Sequence, residues 1–268
     1  MVAPKFFQGS TSRFCQIEPG VILKYPVEVW KESCAYRKLT DEITNNFSVE
    51  RQILDLLGEH PRIVKYLGWQ DTVRGLLLAE ASHGSLQWYL EENHDTIPTP
   101  VRGKWCRQVV ESIAYIHGRG VIHSDLRPDN FLVHATTPKS LDLWLCDFGG
   151  STCEKLGLDG KHLPDPGFFD PNSEWVSTPA TDIFSVGSIL YTILTGHWPY
   201  RAPGPFKTVE EMESYDQQVE DLFRQGTFPD VEGLLGGKII LGCWTSKYTS
   251  ADNVLRALDL ELMKTNEC

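Results

Sequence analysis

The hydrophobic pattern of the N-terminal part of the chain predicts short strands joined by tight turns. Apolar segments Phe14–Ile17 and Val21–Tyr25 flank Glu18-Pro19-Gly20, a turn signature that indicates a β-hairpin. Two more strands are predicted at Ile63–Trp69 and Leu76–Ala79. These residues are therefore expected to form a small sheet.

Helical spacing begins within this β-rich part and dominates the rest of the sequence. Residues Phe47–Leu57 carry apolar side chains at helical intervals and end at Gly58, a typical helix stop. Further helices are predicted at Ser85–Glu92, Pro100–His117, Thr181–Thr195, Val209–Gln225 and Ser250–Lys264. A small β-rich part followed by a larger helical part places a ligand cleft at their junction.

Composition and charge exclude several classes of function. The 268 residues can bury a sizeable core, and the formal net charge of −11 argues against nucleic-acid binding. The seven Cys form no C-x-x-C pair, which favours a reduced protein without disulfides or zinc. With no leader-like apolar segment and no membrane-spanning run, we expect a cytoplasmic protein without membrane contact, a nuclear location remaining open.

Candidate chemistry is concentrated just past the predicted junction. The sequence reads VIHSDLRPDN at Val121–Asn130 and LCDFGGS at Leu145–Ser151, so three Asp and an Asn lie among apolar runs. Crowded carboxylates repel one another unless a cation joins them. The pattern therefore indicates that a positive charge is missing beside these residues.

These two motifs resemble the catalytic loop and the Asp-Phe-Gly motif of protein kinases, and the resemblance covers nearly the whole chain. It implies an α+β, two-lobed protein-kinase-like fold: a small β-rich N-lobe with one main helix, residues 1–81, and a larger, mostly α-helical C-lobe, residues 82–268. Together they would form a single protein kinase domain, residues 1–268. It also implies ATP and Mg²⁺ as cofactors and protein substrates as partners.

The resemblance assigns a role to each candidate residue. Asp125 would orient the acceptor hydroxyl and take its proton, with Arg127 contacting the transferring phosphate. Asn130 and Asp147 would hold Mg²⁺. The remaining nucleotide contacts would come from Lys24 in VILK, Glu50 in VERQIL, Gly9 in a glycine-poor phosphate loop, and the hinge residues Leu78, Glu80 and Ala81.

Several positions depart from the family pattern. Only Gly9 remains of three expected glycines, and Ile22 replaces a small residue above the adenine, which predicts weakened nucleotide affinity. Ser124 replaces an Arg that in many kinases binds a phosphate on the activation segment. We therefore expect activity that does not depend on phosphorylation there.

Structural explanations stand beside the functional ones. Asp125 could be a turn residue, Lys24 a charge at a strand end, and Glu50 a solvated helix residue. His123 is expected to pack under Phe148. Asp182 is expected to cap the helix that it opens and to bind the backbone of the catalytic loop.

Three functions follow from the resemblance. Pro128 favours an ATP-dependent Ser/Thr protein kinase. A pseudokinase that acts as a nucleotide-binding or interaction scaffold is the alternative, supported by the glycine-poor loop. A small-molecule phosphotransferase is disfavoured by the match at Thr181–Tyr200.

Overall fold

An antiparallel sheet forms the N-terminal part of the chain, as the hydrophobic pattern predicts. A computed structural model describes residues 7–8 and 11–266. The five strands lie in the order β1-β2-β3-β5-β4. Their bounds are β1 Phe7–Gln8, β2 Ser12–Glu18, β3 Val21–Pro26, β4 Tyr66–Gln70 and β5 Gly75–Ala79. The predicted hairpin is confirmed, whereas Ile63 precedes β4 and only bridges to Leu145.

The helix that packs on this sheet is longer than predicted. Helix α1 covers Tyr36–Leu57 and ends at Gly58, whose φ of 63° suits glycine. The predicted start at Phe47 is wrong by three turns. Asn45 and Asn46, poor helix formers, lie inside the helix because they contact the chain after Asp147, and tertiary packing overrides their weak propensity.

Helices are the main secondary structure of the C-terminal part. Their bounds are α2 Leu86–Asn93, α3 Thr99–Gly118, α4 Pro179–Thr195, α5 Val209–Arg224, α6 Gly237–Trp244 and α7 Ala251–Asn266. Five of the six were predicted to within two residues at each end. Helix α6 was missed because it is short and contains two glycines, although Trp244 donates from Nε1 to Ser188 Oγ of α4 at 2.9 Å. No described helix has both the length and the apolar character needed to cross a membrane.

Two small hairpins lie between α3 and α4, and the sequence pattern did not reveal them. Strands β6 (Phe131–Thr137) and β7 (Ser140–Leu145) pair antiparallel, with Phe131 opposite Leu145. Strands β8 (Thr152–Cys153) and β9 (Leu158–Asp159) form the second. The first hairpin returns the chain to its starting point, so the catalytic-loop end at Asn130 and the Asp147 motif lie at one end of it.

The core of the helical part is built around α4. Every α4 residue from Thr181 to Ile193 is buried, as its all-round apolar pattern predicts. Arg102 of α3 is also buried, and its guanidinium donates to Ile193 O at 2.5 Å and to His94 O. The first bond satisfies the carbonyl of Ile193 near the end of α4, and the second adds to the bond that His94 O already accepts from Ile97 N. The expected small β-rich lobe and larger helical lobe are both present. The predicted boundary at residue 81 falls in the segment between β5 and α2.

A buried carboxylate joins α4 to the catalytic loop. Asp182 is fully buried and accepts from His123 N at 2.8 Å, from Ser124 N at 3.0 Å and from His117 Nε2 at 2.9 Å. The predicted contact with the loop backbone is therefore confirmed. The predicted capping role is wrong, because Thr178 caps α4 through a reciprocal capping box with Thr181.

We expect Asp182→Asn to destabilise the protein by roughly 1–3 kcal/mol, since an amide nitrogen would then face a backbone N–H donor. Ser124 has φ 67°, so the loop also loses the bond that holds this left-handed turn. Thermal unfolding measures the effect as a fall of several degrees in Tm. Asp41→Asn, at an exposed position of α1, serves as the control. Equal Tm values for the two variants would contradict the anchoring role.

Candidate active site

Three predicted residues from distant parts of the chain meet at one buried ammonium group. Lys24 Nζ lies 2.6 Å from Glu50 Oε2 and 2.8 Å from Asp147 Oδ1. Lys24 is central in β3, paired with Phe14 of β2 and Leu76 of β5, so its side chain points to α1 across the sheet face. The side chains of Lys24 and Glu50 are 4% and 2% exposed, while that of Asp147 is 43% exposed. The cluster is therefore closed on the α1 side and open at Asp147.

The charges of this cluster stabilise one another. Burial lowers the pKa of Lys24, but the neighbouring Asp147 and Glu50 carboxylates outweigh it, so the pKa is raised overall. Burial raises the pKa of Glu50 to about 6 against the opposing charge of Lys24. Burial also raises the pKa of Asp147, but the charge of Lys24 outweighs this effect and holds the pKa of this carboxyl below its ordinary value. At neutral pH the site thus carries a charged Lys and an ionised Asp147.

A second group of predicted residues lies in the catalytic loop. Asn130 donates from Nδ2 to Asp125 O at 2.6 Å and to Asp125 Oδ2 at 3.1 Å. Cys146 N donates to Asn130 O at 2.9 Å, which links this loop to the residue before Asp147. Burial raises the pKa of Asp125, with Arg127 opposing it. Asp125 therefore lies in a polar, partly desolvated site. The hydrogen bonds from Asn130 hold Asp125 in one orientation.

Two residues after the Asp147 motif, His162 and Asp165, contact the catalytic loop, and neither was predicted from the sequence. Arg127 Nη1 binds Asp165 Oδ2 at 2.7 Å, and His162 Nδ1 lies 3.8 Å from Asp125 Oδ1. In the sequence, Asp165-Pro166-Gly167 has the composition of a turn. No spacing signal pointed to these contacts, because they depend on how the segment folds back over the loop.

The predicted hinge has backbone groups that remain open. Leu78 pairs with Ile22 across β3 and β5, while Glu80 N donates to Gly20 O at 2.9 Å. The carboxylate of Glu80 accepts from Gln16 Nε2 at 2.5 Å. In the described part of the chain, Glu80 C=O and both backbone groups of Ala81 have no hydrogen-bond partner. The predicted phosphate-loop residue Gly9 lies outside the described residues.

The oxygen donors of Asp147 and Asn130 fit a small hard cation. Asp147 Oδ2 and Asn130 Oδ1 accept no hydrogen bond from any described residue, since the bonds of these side chains use Oδ1 and Nδ2 respectively. Among the described residues, no three His, Cys, Asp or Glu side chains are grouped as a metal cage. Mg²⁺ commonly uses one or two protein oxygens, with phosphates and water completing its shell. The donor set is therefore suited to a metal–nucleotide complex.

His123 has the structural position that was expected. Its ring lies 5.1 Å from that of Phe148, centroid to centroid, and its Nε2 is 3.0 Å from Cys146 O. Both side chains are fully buried. This packing fixes Cys146 and Phe148, the residues on either side of Asp147. His123 itself is not exposed to solvent.

Comparison with known proteins identifies the class. The family model "Protein kinase domain" matches residues 29–231, most of the chain, so the chain belongs to the protein kinase family. It is 34% identical over 169 residues to cell division control protein 7 of Schizosaccharomyces pombe, covering 61% of this chain and 15% of that protein. It is 27% identical over 222 residues to calcium/calmodulin-dependent protein kinase type 1 of Macrobrachium nipponense, covering 80% of this chain and 59% of that protein.

The probable serine/threonine-protein kinase gdt2 of Dictyostelium discoideum is 27% identical over 234 residues, covering 81% of this chain and 13% of that protein. The chain thus spans less than two thirds of the length of each of these three relatives. Lys24 precedes the range that the family model matches. The assignment of Lys24 to the nucleotide contacts therefore depends on its own contacts with Glu50 and Asp147.

We expect protonation of Glu50 to be measurable in the stability of the protein. Its pKa is about 6 in the folded state against 4.5 as the ordinary value, so the folded state binds this proton more tightly. The resulting stabilisation is present below pH 4.5 and is lost as pH rises through about 6. By linkage, wild type should gain roughly 1–2 kcal/mol relative to Glu50→Gln on going from pH 7 to pH 4.5.

Denaturant unfolding across this pH range measures the difference, with Glu42→Gln, at an exposed position of the same helix, as the control. The control profile should run parallel to that of wild type. A parallel profile for Glu50→Gln would show that Glu50 has an ordinary pKa.

Proposed function

We propose that the chain is an ATP-dependent protein kinase that transfers the γ-phosphate to Ser or Thr hydroxyls of proteins. The observation that carries this proposal is the meeting of Lys24, Glu50 and Asp147 beside a catalytic loop in which Asn130 orients Asp125. Phosphoryl transfer needs positioning and charge neutralisation more than covalent chemistry. This arrangement supplies both.

The nucleotide is held from two sides in this proposal. The open backbone groups of Glu80 and Ala81 bind the edge of the adenine, beside the apolar side chains of Ile22 and Leu78. Lys24 binds the α- and β-phosphates, and its buried pairing with Glu50 keeps the ammonium in one orientation. Gly9 contributes from the phosphate loop.

Mg²⁺ would be held by Asp147 and Asn130, whose free oxygens lie at one end of the β6–β7 hairpin. When bound, it neutralises charge on the phosphates. The proposed cofactors are therefore ATP and Mg²⁺, and the proposed partners are protein substrates.

Asp125 orients the acceptor hydroxyl and takes its proton. The raised pKa of its carboxyl favours accepting a proton in this partly desolvated site. Arg127 uses one guanidinium nitrogen on Asp165, while its Nη2 bonds no described residue and is available to the transferring phosphate. A guanidinium suits this double use because its N–H groups form a planar fork.

The preference for Ser and Thr rests on two observations. Pro128 follows Arg127, as in the Ser/Thr-type catalytic loop. Similar proteins include ones named as serine/threonine-protein kinases, among them RAD53 of Saccharomyces cerevisiae, 31% identical over 171 residues. Residues 1–268 would act together as one kinase domain.

We expect purified protein with Mg²⁺ and labelled ATP to phosphorylate a generic protein acceptor, and Asp125→Asn to lower this rate by at least about a hundredfold. Phosphoamino-acid analysis of the product should show phosphoserine or phosphothreonine. Asp129→Asn removes the same charge from the same loop and serves as the matched control, retaining most of the activity.

The assay also separates the scaffold alternative. Suppose that wild type and Asp125→Asn are equally inactive and that ATP raises the Tm of both. This result would show that the chain is a nucleotide-binding scaffold. The absence of any shift in Tm would show that nucleotide binding is lost as well.

A further inference from the structure

The segment 158–166, called the strap here, folds back over the catalytic loop. It follows β8 and the short turn after it, and it leads towards the start of α4. Two of its side chains contact catalytic-loop residues: Asp165 binds Arg127 at 2.7 Å, and His162 lies 3.8 Å from Asp125. The strap is thus in contact with both residues that were assigned to the transfer step.

Backbone packing holds the strap from the other side. Gly160 N donates to Ser151 O at 2.9 Å, and Asn45 of α1 donates from Nδ2 to Asp159 O at 2.9 Å. A Cβ on Gly160 would lie 2.3 Å from the carbonyl carbon of Gly150, so only glycine fits against the Gly149–Gly150 backbone. The strap is therefore docked against α1 and the Asp147 motif, and at Gly160 there is no space for a side chain.

The strap itself offers no hydroxyl group for phosphorylation. Residues 153–172 contain no Ser, Thr or Tyr. Just before them, Ser151 is fully buried and donates from Oγ to His123 O at 3.0 Å, and Thr152 donates from Oγ1 to Asp159 Oδ1 at 3.5 Å. After them, Ser177 donates from Oγ to His162 O at 3.1 Å. The catalytic loop has Ser124 where a phosphate-binding Arg would stand, and its N–H is bonded to Asp182. Residues 153–172 therefore carry no phosphate, and the catalytic loop lacks the Arg that would bind one. The strap is nevertheless bound to the loop.

Arg127 and Asp165 supply such a pair in the same arrangement, with the cation three residues further along the catalytic loop than Ser124. The cation is on the catalytic loop two residues after Asp125, and the anion is a carboxylate fixed in the strap. The two side chains are 37% and 40% exposed, so their ion pair contributes little to global stability. Its consequence is positional, because it fixes the direction of the guanidinium beside Asp125.

We infer that Asp165 is a positioning residue: its carboxylate takes the place of an activation-segment phosphate, orients Arg127 and keeps the strap docked in the unphosphorylated chain. This inference rests on the proposed kinase function and adds its regulation. The site is assembled as the chain folds, and no phosphorylation of residues 153–172 is needed to switch it on.

The test uses the full chain, treated with phosphatase and shown by mass spectrometry to carry no phosphate. We expect this protein to transfer phosphate, with the amides of residues 158–166 protected from hydrogen exchange. Asp165→Asn should lower kcat on the order of 10- to 100-fold, as expected for a misplaced catalytic group. Its Kd for ATP and its Tm should stay near the wild-type values, because Asp165 contacts none of Lys24, Glu50 and Asp147.

Two variants separate positioning from general damage. Asp165→Glu keeps the charge and should recover most of the lost kcat. Glu154→Gln removes an exposed carboxylate shortly before the strap and should match wild type. Wild-type kcat in Asp165→Asn, or activity that phosphatase abolishes and phosphorylation restores, would overturn the inference.

The remaining outcomes are also decisive. If Asp165→Asn does not fold, the phosphate-free wild type decides: activity with a protected strap supports the inference, and an unprotected strap overturns it. If wild type transfers no phosphate in any state, the proposed kinase function fails by itself. Hydrogen exchange in Asp165→Asn then tests the docking of the strap, which should be lost in this variant and kept in Glu154→Gln.

Discussion

The buried ammonium of Lys24 is the constraint on which the rest of the site depends. A charge removed from water is tolerated only when carboxylates surround it, and an uncompensated one costs several kcal/mol. Glu50 and Asp147 supply that compensation from α1 and from the chain after β7. The sheet, the long helix and the helical part are therefore required to meet at one point. Because Asp147 remains 43% exposed, the cluster is still accessible to a ligand.

Helix α1 connects this ammonium to the segment that covers the catalytic loop. Glu50 of α1 binds Lys24, and one turn earlier Asn45 and Asn46 contact the strap and Gly149. From the opposite side, buried Asp182 fixes the loop backbone to α4, the most deeply buried helix. The residues proposed for the chemistry are thus held between two rigid helices. This arrangement explains how polar loops keep a defined geometry without a large apolar core of their own.

Much of the fold could be predicted because its signals are local. A hairpin is specified by Glu18-Pro19-Gly20 between apolar strands, and α3 and α4 by regular apolar spacing over many residues. Where the signal is weak, tertiary contacts decided the outcome: α1 extends through Asn45 and Asn46, and α6 forms around two glycines against α4. The cap of α4 was assigned to Asp182, although Thr178, four residues earlier, performs it. Asp182 is instead buried, and its carboxylate accepts hydrogen bonds from three donors.

For the site, the sequence by itself determined which chemical groups are present and their order, because the spacing of Asp125, Asn130 and Asp147 and the VILK and VERQIL motifs are properties of the chain. It also determined which groups are absent, such as a phosphate-binding Arg at Ser124. Only the tertiary structure decided which of these groups meet. The contacts of Lys24 with Asp147, and of Arg127 with Asp165, join residues 123 and 38 positions apart. Such distances in sequence leave no periodic signal, since packing and electrostatic compensation bring these residues together only when the whole domain folds.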